Sequence, residues 1–172
     1  CRCFLEQVPK ETEVCLILNP RMNAIEMLAS ICDELHIEHP HSDTSVKIYV
    51  DLINARLLNN YAEGKKTLLI IDEAQNLSDS VLEQLRLLTN LETNDQKLLQ
   101  IILIGQTELR ERFEKRNLRQ LAQRITARYH LTALTEKDVM EYVRHRLVVA
   151  GGRSHVFSDS AVKKVFHHTK GV

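Results

Sequence analysis

Two acids stand directly after an apolar run in Leu68-Leu69-Ile70-Ile71-Asp72-Glu73. A buried strand ordinarily ends in a turn former such as Gly, Pro or Asn, so adjacent carboxylates at that point need a chemical reason. Mg²⁺ takes hard oxygen ligands and sheds water reluctantly, which suits Asp72 holding it through water. Glu73, one residue on, is expected on the other side of the strand, where it can polarise an attacking water. Three more polar residues fall where neighbouring strands are expected to end or begin: Asn19, Gln106 and Arg124. Ligands of a parallel sheet collect at the carboxyl ends of its strands. There Gln106 can orient water or contact a bound ligand, and Asn19 can hydrogen-bond Glu73 and hold it back from the water. The bland readings are a solvated strand end for the two acids, a solvated turn amide for Gln106, an Asn-Pro turn for Asn19-Pro20 and a surface ion pair for Arg124.

The elements that must position these residues read as alternating strands and helices. Residues 12–18 are β-rich and stop at Asn19-Pro20. Residues 23–36 place Ile25, Leu28, Ala29, Cys32 and Leu35 on one helical face. Residues 44–62 do the same with Val46, Tyr49, Val50, Ile53 and Leu57, behind an N-cap at Asp43 or Thr44. A strand at 67–72 precedes a helix capped at Ser78 or Asp79, with Val81, Leu82, Leu85 and Leu88 inward. Residues 98–105 form another apolar strand closed by Gly105, and short helices follow at 107–114 and 117–123. Residues 125–131 alternate Ile125, Ala127, Tyr129 and Leu131, the pattern of a strand with one buried face. Thr135 opens a helix that Gly151-Gly152 breaks, and Ser158 caps a last helix to Thr169. Continuous apolar strands separated by helices predict an α/β fold with a parallel sheet covered on both faces. The two final helices, with no strand between them, predict a separate small lid.

The 172 residues suit one domain or one domain with a small appendage. Lys+Arg and Asp+Glu both count 23, so the net charge is zero, which speaks against a nonspecific pull toward nucleic acid or anionic lipid. No nucleic-acid partner is expected, and the basic Arg144-His145-Arg146 reads as a solvated helix face. Cys1, Cys3, Cys15 and Cys32 follow no zinc spacing and read as reduced thiols of a cytosolic domain. His36, His39 and His41 lie around Pro40 and read as a loop at a helix end rather than a metal site. No apolar run approaches membrane-spanning length. CRCFLEQ reads as the tail of a helix, and the chain is expected to be a piece of a longer protein.

Four apolar residues followed by Asp-Glu resemble the Walker B motif of P-loop ATPases. IIDEAQNLSDSVLEQLRLLTNLET, LLQIILIGQTELRE, LRQLAQRITARYHL and YVRHRLVVAG together resemble the AAA+ ATPases. More narrowly they resemble the ExeA-type family of general secretion pathway ATPases, over the whole chain. Pilus biogenesis ATPases are similar, and transposition helper ATPases are more distant. The resemblance implies a P-loop NTPase (AAA+) sheet sandwiched by helices, with residues 1–134 as the core and 135–172 as the start of a helical lid. It implies ATP and Mg²⁺, with Asp72 as the Mg²⁺ carboxylate, Glu73 as catalytic glutamate and Gln106 as first sensor. Among Arg119, Arg124 and Arg128, it favours Arg124 and then Arg128 to reach a neighbouring subunit's γ-phosphate in a homo-oligomer. Thr107 departs from the family, which usually has Pro there.

The family's phosphate loop, G-x-x-x-x-G-K-[ST], is absent from these residues. The five glycines are Gly64, Gly105, Gly151, Gly152 and Gly171, and none lies in such a pattern. HHTKGV stops short of the Pro-Arg of the family's second sensor. The chain alone is therefore expected not to bind ATP usefully. For a longer parent, the resemblance implies a cytoplasmic domain of a bacterial inner-membrane protein. Its expected partners are general secretion pathway protein B and peptidoglycan, and its work is to help assemble the secretin. The rival readings are a DNA-associated transposition helper ATPase, a pilus biogenesis ATPase, or a noncatalytic interaction domain.

Overall fold

A computed structural model of the chain describes residues 6–18, 20–40, 45–93, 95–153 and 156–172. Asn19, Cys1, Cys3, His41, Asp43 and Thr44 from the sequence readings lie outside the described residues. The chain divides into two units, Cys1–Thr126 and Ala127–Val172.

Among the described residues, the first unit carries three parallel strands, β1 (Thr12–Ile17), β2 (Lys66–Ile71) and β3 (Leu99–Leu103), side by side in that order. Register aligns Cys15 with Leu69 and Ile101, and Ile17 with Ile71 and Leu103. Alternation puts these residues on one face, and they join a continuous core. The central strand β2 is buried from Thr67 to Ile71, side chains of both faces included. That explains its unbroken apolar run: a strand covered on both sides has no polar face to show.

Helices α1 (Ala24–Glu34), α2 (Val46–Ala62) and α3 (Asp79–Leu88) supply the rest of that core through Leu28, Ile31, Ile53, Leu57, Leu82 and Leu85. Asn23 and Glu26 form a reciprocal capping box at the start of α1. The buried stripe of α1 runs through Met27, Leu28, Ile31, Cys32 and Leu35, while Ile25, in its first turn at the end of that stripe, is 40% exposed. In α3 all four expected residues, Val81, Leu82, Leu85 and Leu88, are buried behind the Ser78 cap. The Glu34 side chain accepts a hydrogen bond from Leu16 N at 3.1 Å, which occupies a main-chain donor on the edge strand β1. Burial pushes the Cys15 thiol up to about 12 and the Cys32 thiol up to about 11, so both stay protonated in the core. The short helices α4 (Thr107–Phe113) and α5 (Arg119–Arg124) follow β3.

Residues 125–131 form no strand. Tyr129 and Leu131 are 91% and 83% exposed, so the alternation does not mark a buried face. A strand needs a ladder partner for its amides and carbonyls, and none pairs with this segment among the described residues.

The second unit contains α6 (Glu136–Val149) and α7 (Asp159–Thr169). Thr135 and Asp138 cap α6 reciprocally, and Ser158 caps α7. Arg144 bonds Asp159 at 2.8 Å. Leu134 N donates to Gly171 O at 2.9 Å. Gly171 has φ +85°, and a Cβ there would lie 2.0 Å from Leu134 O, so only glycine closes this contact. No described helix is long and apolar enough to cross a membrane.

Candidate functional site

The ladder of β2 runs out just before the two acids. Asp72 N still donates to Ile17 O at 2.9 Å, which continues the β1 pairing for one residue. Glu73 has already left the extended region, with φ 52° and ψ 38°. Its position is therefore set by a turn, not by strand alternation. A non-glycine residue in the left-handed region costs about 1–2 kcal/mol, and local hydrogen bonds hold it there. Asp72 Oδ1 accepts from Glu73 N at 2.9 Å. Ala74 N donates to Ile104 O at 2.8 Å, beyond the end of β3, and Asn76 N donates to Glu73 O at 2.9 Å. A 3-10 turn at Ala74–Asn76 follows.

These bonds bring the ends of β2 and β3 together. Gln106, just before α4, places its side-chain Nε2 3.4 Å from Glu73 Oε2. Gln75 was not anticipated as a site residue, yet its Nε2 donates to the same Glu73 oxygen at 2.5 Å and its Oε1 accepts from Gln106 N at 3.1 Å. Glu73 and Gln106 are exposed, while Asp72 and Gln75 are half-buried. A carboxylate held by two amides at an open strand end can bind or polarise a polar ligand without first breaking a buried network.

Arg112 of α4 fixes the same loop from behind. Its guanidinium donates to Gln75 O at 3.0 Å, to Leu77 O and to the Asp79 carboxylate. Asn117 donates to the other Asp79 oxygen at 2.7 Å. The hydrogen bonds from Arg112 and then Asn117 hold the Asp79 carboxyl below its ordinary range. Arg112 lies 33 residues from Asp79 and 37 from Gln75 in sequence, and no local pattern in Leu109-Arg110-Glu111-Arg112 distinguishes it from Arg110.

Arg124 ends α5, where Nη1 donates to Thr89 Oγ1 at 2.9 Å and to the Asn90 side chain. Its partners here are neutral groups after α3, in place of the carboxylate of the bland reading. Arg119 is the first residue of α5, and Arg128 belongs to the second unit. The structure thus gathers Asp72, Glu73 and Gln106 at one end of the sheet. Asn19 lies outside the described residues.

Among the described residues, no group of three His, Cys, Asp or Glu side chains is arranged to hold a metal ion. Mg²⁺ does not need such a cage, because one or two carboxylates with phosphate and water suffice. Asp72, a hard carboxylate at the mouth of the strand end, fits that role. The His36–His39 segment has another use. His39 bonds Asp33 at 2.9 Å and packs against the Tyr49 ring with centroids 5.4 Å apart, while Tyr49 donates to Pro40 O at 3.0 Å. The expected loop at the helix end therefore has an ordered carboxylate partner.

Residues 1–113 match the AAA domain family. The chain belongs to that family. The AAA domain is similar to general secretion pathway protein A of Aeromonas hydrophila, with 50% identity over 171 residues, 99% of this chain. It spans only 31% of that relative's length. Among solved structures it is similar to Cdc6p from Pyrobaculum aerophilum, with a TM-score of 0.68 and 14% identity, covering 94% of this chain and 41% of that one. It is also similar to the Aeropyrum pernix ORC2 protein in its ADP form, with a TM-score of 0.66 and 18% identity, covering 99% and 45%. At such identities the likeness is one of fold. The AAA domain's parallel sheet with flanking helices is the P-loop NTPase fold.

Proposed function

We propose that this AAA domain hydrolyses ATP within a longer protein of the general secretion pathway and couples hydrolysis to secretin assembly. The observation that carries the reading is the 50% identity to general secretion pathway protein A across 99% of the chain. The geometry supports the chemistry. Asp72 would hold the Mg²⁺ of the MgATP substrate through water, Glu73 would accept a proton from the attacking water, and Gln106 would contact the γ-phosphate or that water. Asn19 would hold Glu73 back until nucleotide is in place. Arg124, released from Thr89 and Asn90, would reach the γ-phosphate of a neighbouring subunit in a homo-oligomer, with Arg128 as the second choice. The same reading makes residues 1–134 the core and 135–172 part of a lid. The longer protein would be anchored in a bacterial inner membrane with this domain in the cytoplasm, and would meet general secretion pathway protein B and peptidoglycan. The likeness to Cdc6p and ORC2 concerns fold alone, and zero net charge gives a DNA-associated reading no support.

The 172 residues hold no G-x-x-x-x-G-K-[ST] run, so hydrolysis is assigned to the longer protein. In that protein, Glu73→Gln is expected to lower turnover by about 10²–10⁴-fold while MgATP still binds. Unchanged turnover would remove Glu73 from the mechanism. Calorimetry on residues 1–172 is expected to show no micromolar binding of MgATP, and such binding would overturn the requirement for a separate phosphate loop.

A further inference from the structure

Gln75 lies two residues beyond Glu73 and bridges two strand ends. Its Nε2 donates to Glu73 Oε2 at 2.5 Å, and its Oε1 accepts from Gln106 N at 3.1 Å. The amide orientation is forced by its neighbours: an ionised carboxylate only accepts, and a backbone N–H only donates. Gln106 Nε2 adds a longer contact, 3.4 Å, to the same carboxylate oxygen. Both contacts fall on Oε2, and Oε1 of Glu73 receives no hydrogen bond among the described residues. One oxygen is therefore anchored and the other is left to meet a water.

Two further features keep the Gln75 amide in place. Arg112 Nη1 donates to the Gln75 backbone oxygen at 3.0 Å. Gly105 faces the Gln75 side chain so closely that a Cβ there would lie 2.9 Å from Gln75 Oε1 and 3.3 Å from Gln75 N. The glycine that closes the apolar run of β3 thus makes room for this amide. A methyl group at that position would press on two flexible side-chain ends, that of Gln75 and, at 3.0 Å, Leu109 Cδ2, before it moved the backbone.

We propose that Gln75 is a positioning residue, which clamps one oxygen of Glu73 against the end of β3 and so aims the other at the attacking water. This rests on the assignment of Glu73 to water activation. Orienting a reacting group is worth a large factor, and misplacement by about 1 Å can cost about 10²-fold. Gln75→Glu keeps the length and the acceptor for Gln106 N but replaces the donor to Glu73 with a second carboxylate. It separates the hydrogen bond from the shape of the side chain.

The clamp itself is read in the 172-residue chain by amide NMR, without any turnover. The Gln75 side-chain amide protons should be shifted and slowed in exchange, and Glu73→Ala and Gly105→Ala should each remove that signature. A Gln75 amide that resembles a solvated glutamine would overturn the proposal. In the ATP-hydrolysing longer protein, Gln75→Ala and Gln75→Glu should each lower kcat by about ten- to a hundredfold, with KM for MgATP within about twofold. Gly105→Ala should follow them. In a Glu73→Gln background, Gln75→Ala should add nothing. If Gln75→Glu keeps full kcat, the side chain serves only as shape and the positioning role is lost. If Glu73→Gln lowers turnover but Gln75→Ala leaves kcat unchanged, the clamp fails while the hydrolysis reading stands. If Glu73→Gln itself leaves turnover intact, both fail together.

Discussion

The two ends of the sheet are built to different rules. At the amino end, Glu13 of β1 faces Thr67 of β2 in register, and α2 covers both with Arg56 and Asn60. Arg56 grips Glu13 with two nitrogens, at 2.5 and 3.3 Å, and Asn60 Nδ2 reaches both Glu13 and Thr67 Oγ1. Asn60 and Thr67 are each 2% exposed. No buried side-chain polar atom among the described residues lacks a partner. At the carboxyl end, Glu73 and Gln106 are exposed, their mutual contact is 3.4 Å long, and Glu73 sits in a left-handed conformation. A buried polar network that is fully paired stabilises and rigidifies. An exposed and strained carboxylate contributes little to stability and remains available for a ligand. The contrast teaches where stability and chemistry are separated: at opposite ends of the same three strands.

The sharpest way to break this comparison is to remove one group from each end and measure both turnover and stability. Glu73→Gln is expected to lower ATP turnover of the longer protein by about 10²–10⁴-fold, with the urea midpoint of this domain unchanged. A large midpoint shift would show that the carboxyl end also bears stability. Asn60→Ala should do the opposite. It leaves the buried Thr67 hydroxyl and a Glu13 oxygen without their amide donor, a loss of about 1–3 kcal/mol in urea unfolding, with kcat per folded molecule preserved.

Acid should reveal the amino end more gently. Burial by itself would raise the Glu13 carboxyl, but hydrogen bonds from Arg56 and Asn60 and the charges of Arg56 and Lys65 outweigh it and hold the group below its ordinary value. A depressed folded value means the contribution is fully present above the unfolded carboxyl value of about 4.3 and fades as pH falls through the folded value. Glu13→Gln should therefore flatten the acid side of the stability curve. An unchanged acid limb in urea titrations would contradict the role of that pair.

The smallest effect is expected at His39. The hydrogen bond to Asp33, then that to Pro40 O, raises its imidazole above the usual range. A raised folded value places its stabilisation below the unfolded value of about 6.5, lost as pH rises through the folded value. With the Asp33 partner 71% exposed, the loss should not exceed about 1 kcal/mol, and His39→Phe should abolish that pH dependence.

Much of this was legible in the residues. The apolar run Leu68–Ile71 announces a strand buried on both faces, Ser78, Thr135 and Ser158 mark their helices, and the acids after the run mark the strand end. The α3 stripe was fully readable because helical periodicity and burial coincide there. The alternation in 125–131 misled, because alternation describes two faces and says nothing about a ladder partner. Gln75 was hidden for a related reason. It follows Ala74 as an ordinary polar turn residue, and its second partner, Gln106, lies 31 residues away.

The sequence by itself determined which segments could be strands and helices, and that two carboxylates would close the central strand. Those features depend on neighbours within a few residues: backbone preference, caps and apolar periodicity. Only the tertiary structure decided that Glu73 turns into the left-handed region, that Gln75 and Gln106 meet on one of its oxygens, and that Arg124 rests on Thr89 and Asn90. Each of these requires β2, β3 and the helices around them to be packed in register. Hydrogen bonds reach about 3 Å, and which groups come that close is fixed by the packed core rather than by distance along the chain.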